Sequence, residues 1–460
     1  MSAVPRIAVG TVQQQSDSQA VLWGLMELLN RSGVRIQSYR SQATFAPVDA
    51  ATSITGVASR HLDSWLMSPQ QCRDILSRSS RNIDLALVDG QLDAHDVPAE
   101  LEPEGGRLEP LCNWLGIPRL AVIDVSALQH CQLPARPRRA TGLLLDGVAS
   151  KQDYCRWQTT LESLWGIPVL GGLPHCPAVR STIAALLPGD VPSRELCNVL
   201  GTQISQFLSP AKIMRLASHA EVSAIEQHTG HGDRPRFPAD GLCNLRIAVA
   251  YDDAFHCYFQ DSLDVLEACG ATIRDFSPLR DETLPPDTDV VYIGCGHPER
   301  FAAALTENHL LKLALRGHVC SGKRIYAEGG GLAYLCQSLE LSSGQQVPML
   351  GIFPAVARLN PAAGSPHAEE LTLQRDNWLG PVGASVRGYL NERWSIEPTA
   401  KVNTLGKRMQ NDDRSIGPLN LIGRHHAIGS RMHINLVAQP HLLQNFLQPC
   451  PLALAWAGAT

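Results

Sequence analysis

The stretch Ile325-Tyr326-Ala327-Glu328-Gly329-Gly330-Gly331-Leu332 has the layout with which many α/β enzymes hold a nucleophile: a short strand, a tight glycine turn and the start of a helix. Glycine tolerates the positive-φ backbone such a turn requires and lets a second backbone or a ligand come close. The centre of this elbow is Gly329, which has no side chain with which to attack anything. Other reactive residue types are present but lack a chemical pattern. The 13 cysteines are scattered with no Cys-x-x-Cys pair, which argues for reduced, mostly buried thiols rather than a disulfide framework or a zinc module. His219, His228 and His231 cluster mid-chain at a spacing that fits no standard metal pattern and read as surface histidines. Arg136-Pro137-Arg138-Arg139 is the one basic run and reads as a solvated loop.

The elements that must position these residues alternate. Ile7 to Gly10, Val34 to Tyr39, Leu85 to Gly90, Arg119 to Val125 and Gly142 to Leu145 read as buried strands separated by helical stretches such as Ala20 to Leu29. Strands alternating with helices predict a parallel, doubly wound sheet, here of the phosphate-loop nucleotide-binding type. Around residues 209–243 the composition shifts to Gly, Pro and charge, a boundary signal. A second set follows: a strand at Arg246 to Ala250, an amphipathic helix from Leu263 to Gly270, and a strand from Asp289 to Ile293. With 460 residues the chain is long enough for two to three domains. The expected division is 1–208, a connector at 209–243, and 244–460.

A net charge of -5 gives no sign of a nucleic-acid surface, and 44% apolar with 18% charged residues is ordinary for a globular protein. The N-terminus lacks the basic-then-apolar order of a signal peptide, and no apolar run approaches the ~18 residues of a membrane span. The expectation is a soluble cytoplasmic protein without nucleic-acid or membrane partners.

The elbow and its surroundings resemble the cobyrinic acid a,c-diamide synthase family, whose class I glutamine amidotransferase domain carries Ala-Glu-Cys-Gly-Gly-Leu-x-Tyr-Leu. This chain matches it position by position except at the cysteine, where Gly329 stands. The resemblance runs through both halves and in order. Ser59-Arg60-His61-Leu62-Asp63-Ser64-Trp65 is similar to the family's Ser-Arg-Asn-Leu-Asp-x-Trp, and Gly166 to Pro174 matches Gly-x-Pro-Val-Leu-Gly-x-Leu-Pro almost throughout. Asp252-Asp253-Ala254-Phe255 is similar to the family's Asp-x-Ala-Phe, which follows a strand. Gly294-Cys295-Gly296-His297-Pro298-Glu299 resembles the Gly-Gly-Gly-Tyr-Pro-Glu turn that supplies oxyanion donors. Cys295 therefore takes a glycine position and is not by alignment a displaced nucleophile. Ile428 to Leu436 places His433 on the histidine that would activate the cysteine.

What the resemblance implies about chemistry is mostly loss. The family binds ATP and magnesium through Gly-Thr-x-x-Gly-x-Gly-Lys-Thr-Thr. The aligned stretch here is Gly10-Thr11-Val12-Gln13-Gln14-Gln15-Ser16-Asp17-Ser18-Gln19, with Asp17 at the lysine position. Reversing that charge beside a polyanion is a swing of roughly 8 kcal/mol at ~4 Å and an effective dielectric of ~20, before screening. ATP in the usual pose is not expected, and no cofactor is expected at all. Asp89 replaces a family glutamate at a strand end and is the remaining candidate for a metal. Arg60 and Asp63 are candidates for substrate binding, with a structural ion pair as the competing reading. Asp93 and Asp96 lie where the family has a glycine- and aspartate-rich segment, and Asp146-Gly147 stands for Asn-Arg. Scaffold residues persist while chemistry residues have changed at three sites, a pattern that fits a retained fold with a changed task. Two expectations result. One is a non-catalytic corrinoid- or tetrapyrrole-binding protein or subunit, alone, as a homodimer or beside a partner enzyme. The other is a divergent ATP-dependent ligase that amidates tetrapyrrole carboxylates with free ammonia, using an unusual nucleotide site.

Overall fold

The computed structural model describes residues 4–13, 18–43, 49–80, 82–94, 105–126, 128, 133, 135–218, 244–364, 366–408 and 419–449. The chain divides into two compact units, the first running to His231 and the second from Gly232.

In the first unit the strands are β1 (Arg6–Thr11), β2 (Ile36–Arg40), β3 (Arg60–His61), β4 (Leu85–Gln91), β5 (Arg119–Asp124), β6 (Gly142–Val148) and β7 (Val169–Pro174). They form one sheet in the order β3-β2-β4-β1-β5-β6-β7, with every neighbouring pair parallel. Such strands are buried on both faces, so they read as continuous apolar runs; Leu143, Leu144 and Leu145 of β6 are all fully buried. The order places β1 in the middle, with the chain winding first one way and then the other, which is the doubly wound arrangement. Helix Gln19–Arg31 buries Val21, Leu25 and Leu29 in the same core cluster as Leu196 and Leu200 of helix Arg194–Ile204. Ile213 and Ala217 of helix Pro210–Ser218 belong to that cluster too, so residues 210–218 are part of this unit's core. Residues 219–243, and with them His219, His228 and His231, lie outside the described residues.

The second unit has a mixed sheet. Its parallel part is β8 (Arg246–Ala250), β10 (Thr272–Phe276), β11 (Val290–Ile293) and β13 (Arg324–Glu328), ordered β10-β8-β11-β13, continued by strand Ala427–Ser430. Strands Leu421–Arg424 and Asn403–Thr404 extend it antiparallel. A short antiparallel pair, β9 (Phe255–Cys257) with β12 (Cys295–Gly296), sits apart from that sheet. Smaller sheets built from strands between 336 and 433 carry the rest of the unit. The fold is thus α/β in both units, as the alternation predicted. No described helix is long and apolar enough to cross a membrane. Each of the ten described cysteines is a free thiol, with only Cys155 and Cys320 exposed.

Candidate functional site

At the end of β13 the backbone turns through Gly329 with φ +51° and ψ −112°. That combination lies outside the regions open to a side-chain-bearing residue at low cost, so the elbow keeps a strained conformation that glycine adopts freely. The turn is tied on both sides: Gly329 N–H donates to Ser430 O at 2.8 Å, and Gly329 O accepts from Ala333 N at 3.1 Å. The next two glycines are required by proximity. A Cβ on Gly330 would stand 2.6 Å from Gly296 O, and one on Gly331 would stand 2.4 Å from Ile293 O. The short helix Gly330–Leu335 is therefore pressed against the turn between β11 and β12.

Directly before the elbow, Glu328 is completely buried and saturated with donors. Its Oε1 accepts from Tyr326 Oη at 2.7 Å and from Ile434 N–H at 3.2 Å. His433 Nδ1 lies 2.6 Å from Glu328 Oε2, and because an ionised carboxylate only accepts, the imidazole donates. His433 reaches this place on the two-residue strand Met432–His433, opposite Tyr389 of strand Ser385–Leu390. Phe259 stacks on its ring, with centroids 4.0 Å apart and planes 13° from parallel. Burial lowers the imidazole's proton affinity, the largest single influence. The charges of Glu328 and Cys257, and hydrogen bonds to both, outweigh it and raise the pKa to about 10. At neutral pH His433 thus holds its proton as the cation of a buried ion pair. That is a poor state for a general base.

Cys295 lies in this same cluster. Ligating atoms of Cys295, Glu328 and His433 all lie within 4.8 Å of one another, each in a buried side chain. Cys257 joins them: β9 and β12 set it directly opposite Cys295, and it is in hydrogen-bonding contact with both Cys295 and His433. Burial, together with Cys257 and Glu328, pushes the Cys295 thiol well above its ordinary value. The turn that follows is pinned by Glu299, which takes Arg393 Nη2 at 2.6 Å and His297 Nδ1 at 3.1 Å. Burial raises the Glu299 pKa, but His297 and Arg393 together bring it below the usual glutamate value. Sequence reasoning found Gly329, His433 and Cys295; it missed Cys257. Cys257 carries no signal of its own, because only strand register brings it against Cys295.

The first unit's candidates do not gather into one comparable site. Gly10 and Thr11 end β1, where a Cβ on Gly10 would meet Gly90 O at 2.1 Å. Thr11 Oγ1 accepts from Gln13 N at 3.1 Å. Gln14 to Asp17 lie outside the described residues, so the Asp17 position has no structural description. Ser18 precedes helix Gln19–Arg31 without a side-chain cap bond. Gln13 reaches across to the end of β5, donating to Asp124 O at 3.2 Å and accepting from Asp124 N at 2.7 Å. That contact occupies the mouth between β1 and β5, where the winding direction of the sheet changes and where such folds bind ligands. Arg60 opens β3 opposite Tyr39. Asp63 is buried and its Oδ1 accepts from Trp65 N and Leu66 N at 2.8 and 2.9 Å, a turn-forming role. Asp89 lies in β4 in register with Val9 and Arg40. Asp93 is buried 3.9 Å from Arg138, while His95 and Asp96 lie outside the described residues. Asp146 is fully buried against Arg180.

The model of the CobB/CobQ-like glutamine amidotransferase domain matches residues 246–439, the span that holds the elbow, Glu328 and His433. The cobyrinate a,c-diamide synthase of Dehalococcoides mccartyi is 27% identical over 469 residues, covering 96% of this chain and 98% of that protein. The one from Listeria monocytogenes is 27% identical over 402 residues, covering 84% and 86%. Among solved structures, a glutamine amidotransferase is similar over 44% of this chain and 96% of its own, with 17% identity and a TM-score of 0.33. The chain is thus similar along nearly its whole length to cobyrinate a,c-diamide synthases, and its second unit carries the match to a glutamine amidotransferase domain.

Proposed function

We propose that this chain is a corrinoid-metabolism member of its family that has given up both glutamine hydrolysis and the usual ATP–magnesium site, and that it serves as a tetrapyrrole-binding or subunit protein. Gly329 carries the reading. The elbow keeps the backbone conformation, the carboxylate Glu328 and the histidine His433, yet the position from which a thiol would attack the glutamine amide has none. A hydrolytic site without its nucleophile has nothing for His433 to activate. In the first unit, phosphate binding needs free backbone donors and a cation at the outer phosphates. Gln13 is engaged with Asp124 instead, and the lysine position of the sequence is Asp17. That donor set argues against ATP in the usual pose.

The test is a glutaminase assay beside a thermal-shift titration. No ammonia release above the buffer rate is expected from the purified chain. Release that disappears in His433→Asn would overturn the loss of hydrolysis. ATP with magnesium is expected to leave the melting temperature unchanged. A ligand at 100 times its dissociation constant adds ~2.7 kcal/mol, so a clear upward shift would favour the ligase that uses free ammonia. A corrinoid carrying free carboxylates is expected to bind saturably by absorbance titration; its failure to bind would remove the tetrapyrrole part of the reading.

A further inference from the structure

We infer that the space beside the elbow is a binding site for a thiophilic divalent cation, zinc in the first place, with Cys257, Cys295 and His433 as ligands and Glu328 as the group that orients the imidazole. The inference stands on the geometry of these four side chains and does not need the reading above. They are 9%, 1%, 1% and 0% exposed, so the donors are assembled inside the unit and not scattered over a surface. Register fixes two of them: the antiparallel β9–β12 pair puts Cys257 opposite Cys295. Packing fixes the third: Cys257 and Cys295 form one buried cluster, and Glu328 holds His433 beside Cys295.

The donor set suits zinc. Two sulfurs and an imidazole nitrogen are borderline-soft ligands, the combination that selects zinc over calcium or magnesium. Ligand atoms of a tetrahedral zinc site stand roughly 3.3–3.8 Å apart, given bonds of about 2.0–2.3 Å. Of the proposed ligands, Cys295 and His433 offer ligating atoms within 4.8 Å of one another, and strand pairing sets Cys257 opposite Cys295. The second shell is in place as well. Glu328 holds Nδ1, which leaves Nε2 as the ligating nitrogen, and Tyr326 and Ile434 fix Glu328 in turn. A carboxylate on the far nitrogen sets ring orientation and raises ligand basicity. Three protein ligands leave a fourth position for water or a ligand's donor atom. Binding releases the two thiol protons and the imidazolium's extra proton, so affinity rises with pH.

The experiment is cobalt(II) and zinc titration of the whole chain, freed of metal by chelation and kept in a thiol-free reductant. One equivalent is expected to bind. Cobalt should give a sulfur-to-metal charge-transfer band in the near ultraviolet and the intense visible bands of a tetrahedral site. Cys257→Ser and Cys295→Ser should each abolish the charge-transfer spectrum or weaken binding at least tenfold. Glu328→Gln should weaken it by roughly 10- to 100-fold, the usual effect of a second-shell carboxylate. Cys320→Ser, at an exposed thiol away from the cluster, should change nothing. If the serine variants fail to fold, protection of wild-type Cys257 and Cys295 from alkylation by one equivalent of zinc, read by peptide mass spectrometry, decides the matter. Three results overturn the inference: no cobalt uptake, binding unaltered in the Cys257→Ser Cys295→Ser double variant, or covalent labelling of Cys257 by a glutamine-like chloroketone. The last would make Cys257 a relocated nucleophile.

Discussion

Two fully buried carboxylates of the first unit and one of the second are matched in different ways. In the first, Glu27 and Asp146 are fully buried, and each is matched by an arginine that reaches in from the surface: Arg194, 46% exposed, and Arg180, 29% exposed. In the second, Glu328 is matched by His433, as buried as itself, and also accepts from Tyr326 and Ile434. A partly solvated arginine loses little when its partner goes, whereas an unpaired imidazolium or carboxylate in a closed interior costs several kcal/mol. Glu27 and Asp146 are tied into a scaffold. Glu328 and His433 form an enclosed polar centre, the kind of arrangement that catalysis and metal binding require.

The largest effect that would break this contrast is on Glu328 itself. Glu328→Ala leaves His433 buried without its counter-charge and is expected to cost 3–5 kcal/mol by urea unfolding. A loss under 1 kcal/mol would show that His433 is not held as a cation. The same pair has a pH signature. Because folding raises the His433 pKa from 6.5 to about 10, its contribution is complete below pH 6.5 and is lost as pH rises through 10. Wild-type stability should therefore fall across that window, and the fall should be absent in His433→Asn.

A smaller effect sharpens the other side. Asp146 is pushed from 3.8 to about 6, first by burial and then by Asp124, with Arg180 only partly opposing them. A raised folded-state pKa means that stability present below pH 3.8 declines as pH rises through 6, by about 3 kcal/mol at 1.36 kcal/mol per unit. Asp146→Asn should remove that slope and be as stable as wild type, or more stable, at pH 8. If Asp146→Asn instead loses 3 kcal/mol or more at pH 8, the Arg180 pair is as strong as the Glu328–His433 pair and the contrast fails.

The sequence made much of this visible, and the reason for the remainder is register. Parallel strands buried on both faces advertise themselves as apolar runs, so β1, β4, β5 and β13 were readable to within a residue or two. The elbow was readable because its glycines are consecutive. Strands between 336 and 408 left little trace because they are half-buried; Phe353–Leu359 buries only the alternate residues Phe353, Ala355 and Ala357, so it shows no continuous apolar run. The Glu328–His433 bond spans 105 residues, and no local pattern reports it. Cys257 and Cys295 each look like a lone buried thiol, and only the pairing of two- and three-residue strands makes them a couple. Arg60 and Asp63 were legible as a motif, but the motif says nothing of the two backbone N–H groups that Asp63 accepts from.

The smallest expected effect concerns Gly329, and it asks whether the second unit's centre still has the geometry of a nucleophile site. Gly329→Cys puts a side chain on a residue with φ +51° and ψ −112°, and such backbone costs a non-glycine residue about 1–3 kcal/mol. The variant should fold, because Gly330 and Gly331 already make the close approaches to Gly296 and Ile293, and these are untouched. Its new thiol follows directly on Glu328, whose carboxylate is bonded to the protonated His433. A neighbouring imidazolium lowers a thiol's pKa, so the added cysteine should carry more thiolate at pH 7 than Cys155 or Cys320, the exposed native thiols. Iodoacetamide labelling followed by peptide mass spectrometry should therefore mark Cys at position 329 ahead of both. Glutamine hydrolysis is not expected to return in full, since Cys295 stands where the resemblance puts a glycine and Gly294 N–H is already taken by Tyr258 Oη. A variant that melts like wild type but leaves the new thiol unlabelled would mean that His433 does not act on position 329. The enclosed centre would then belong to Cys257 and Cys295 alone.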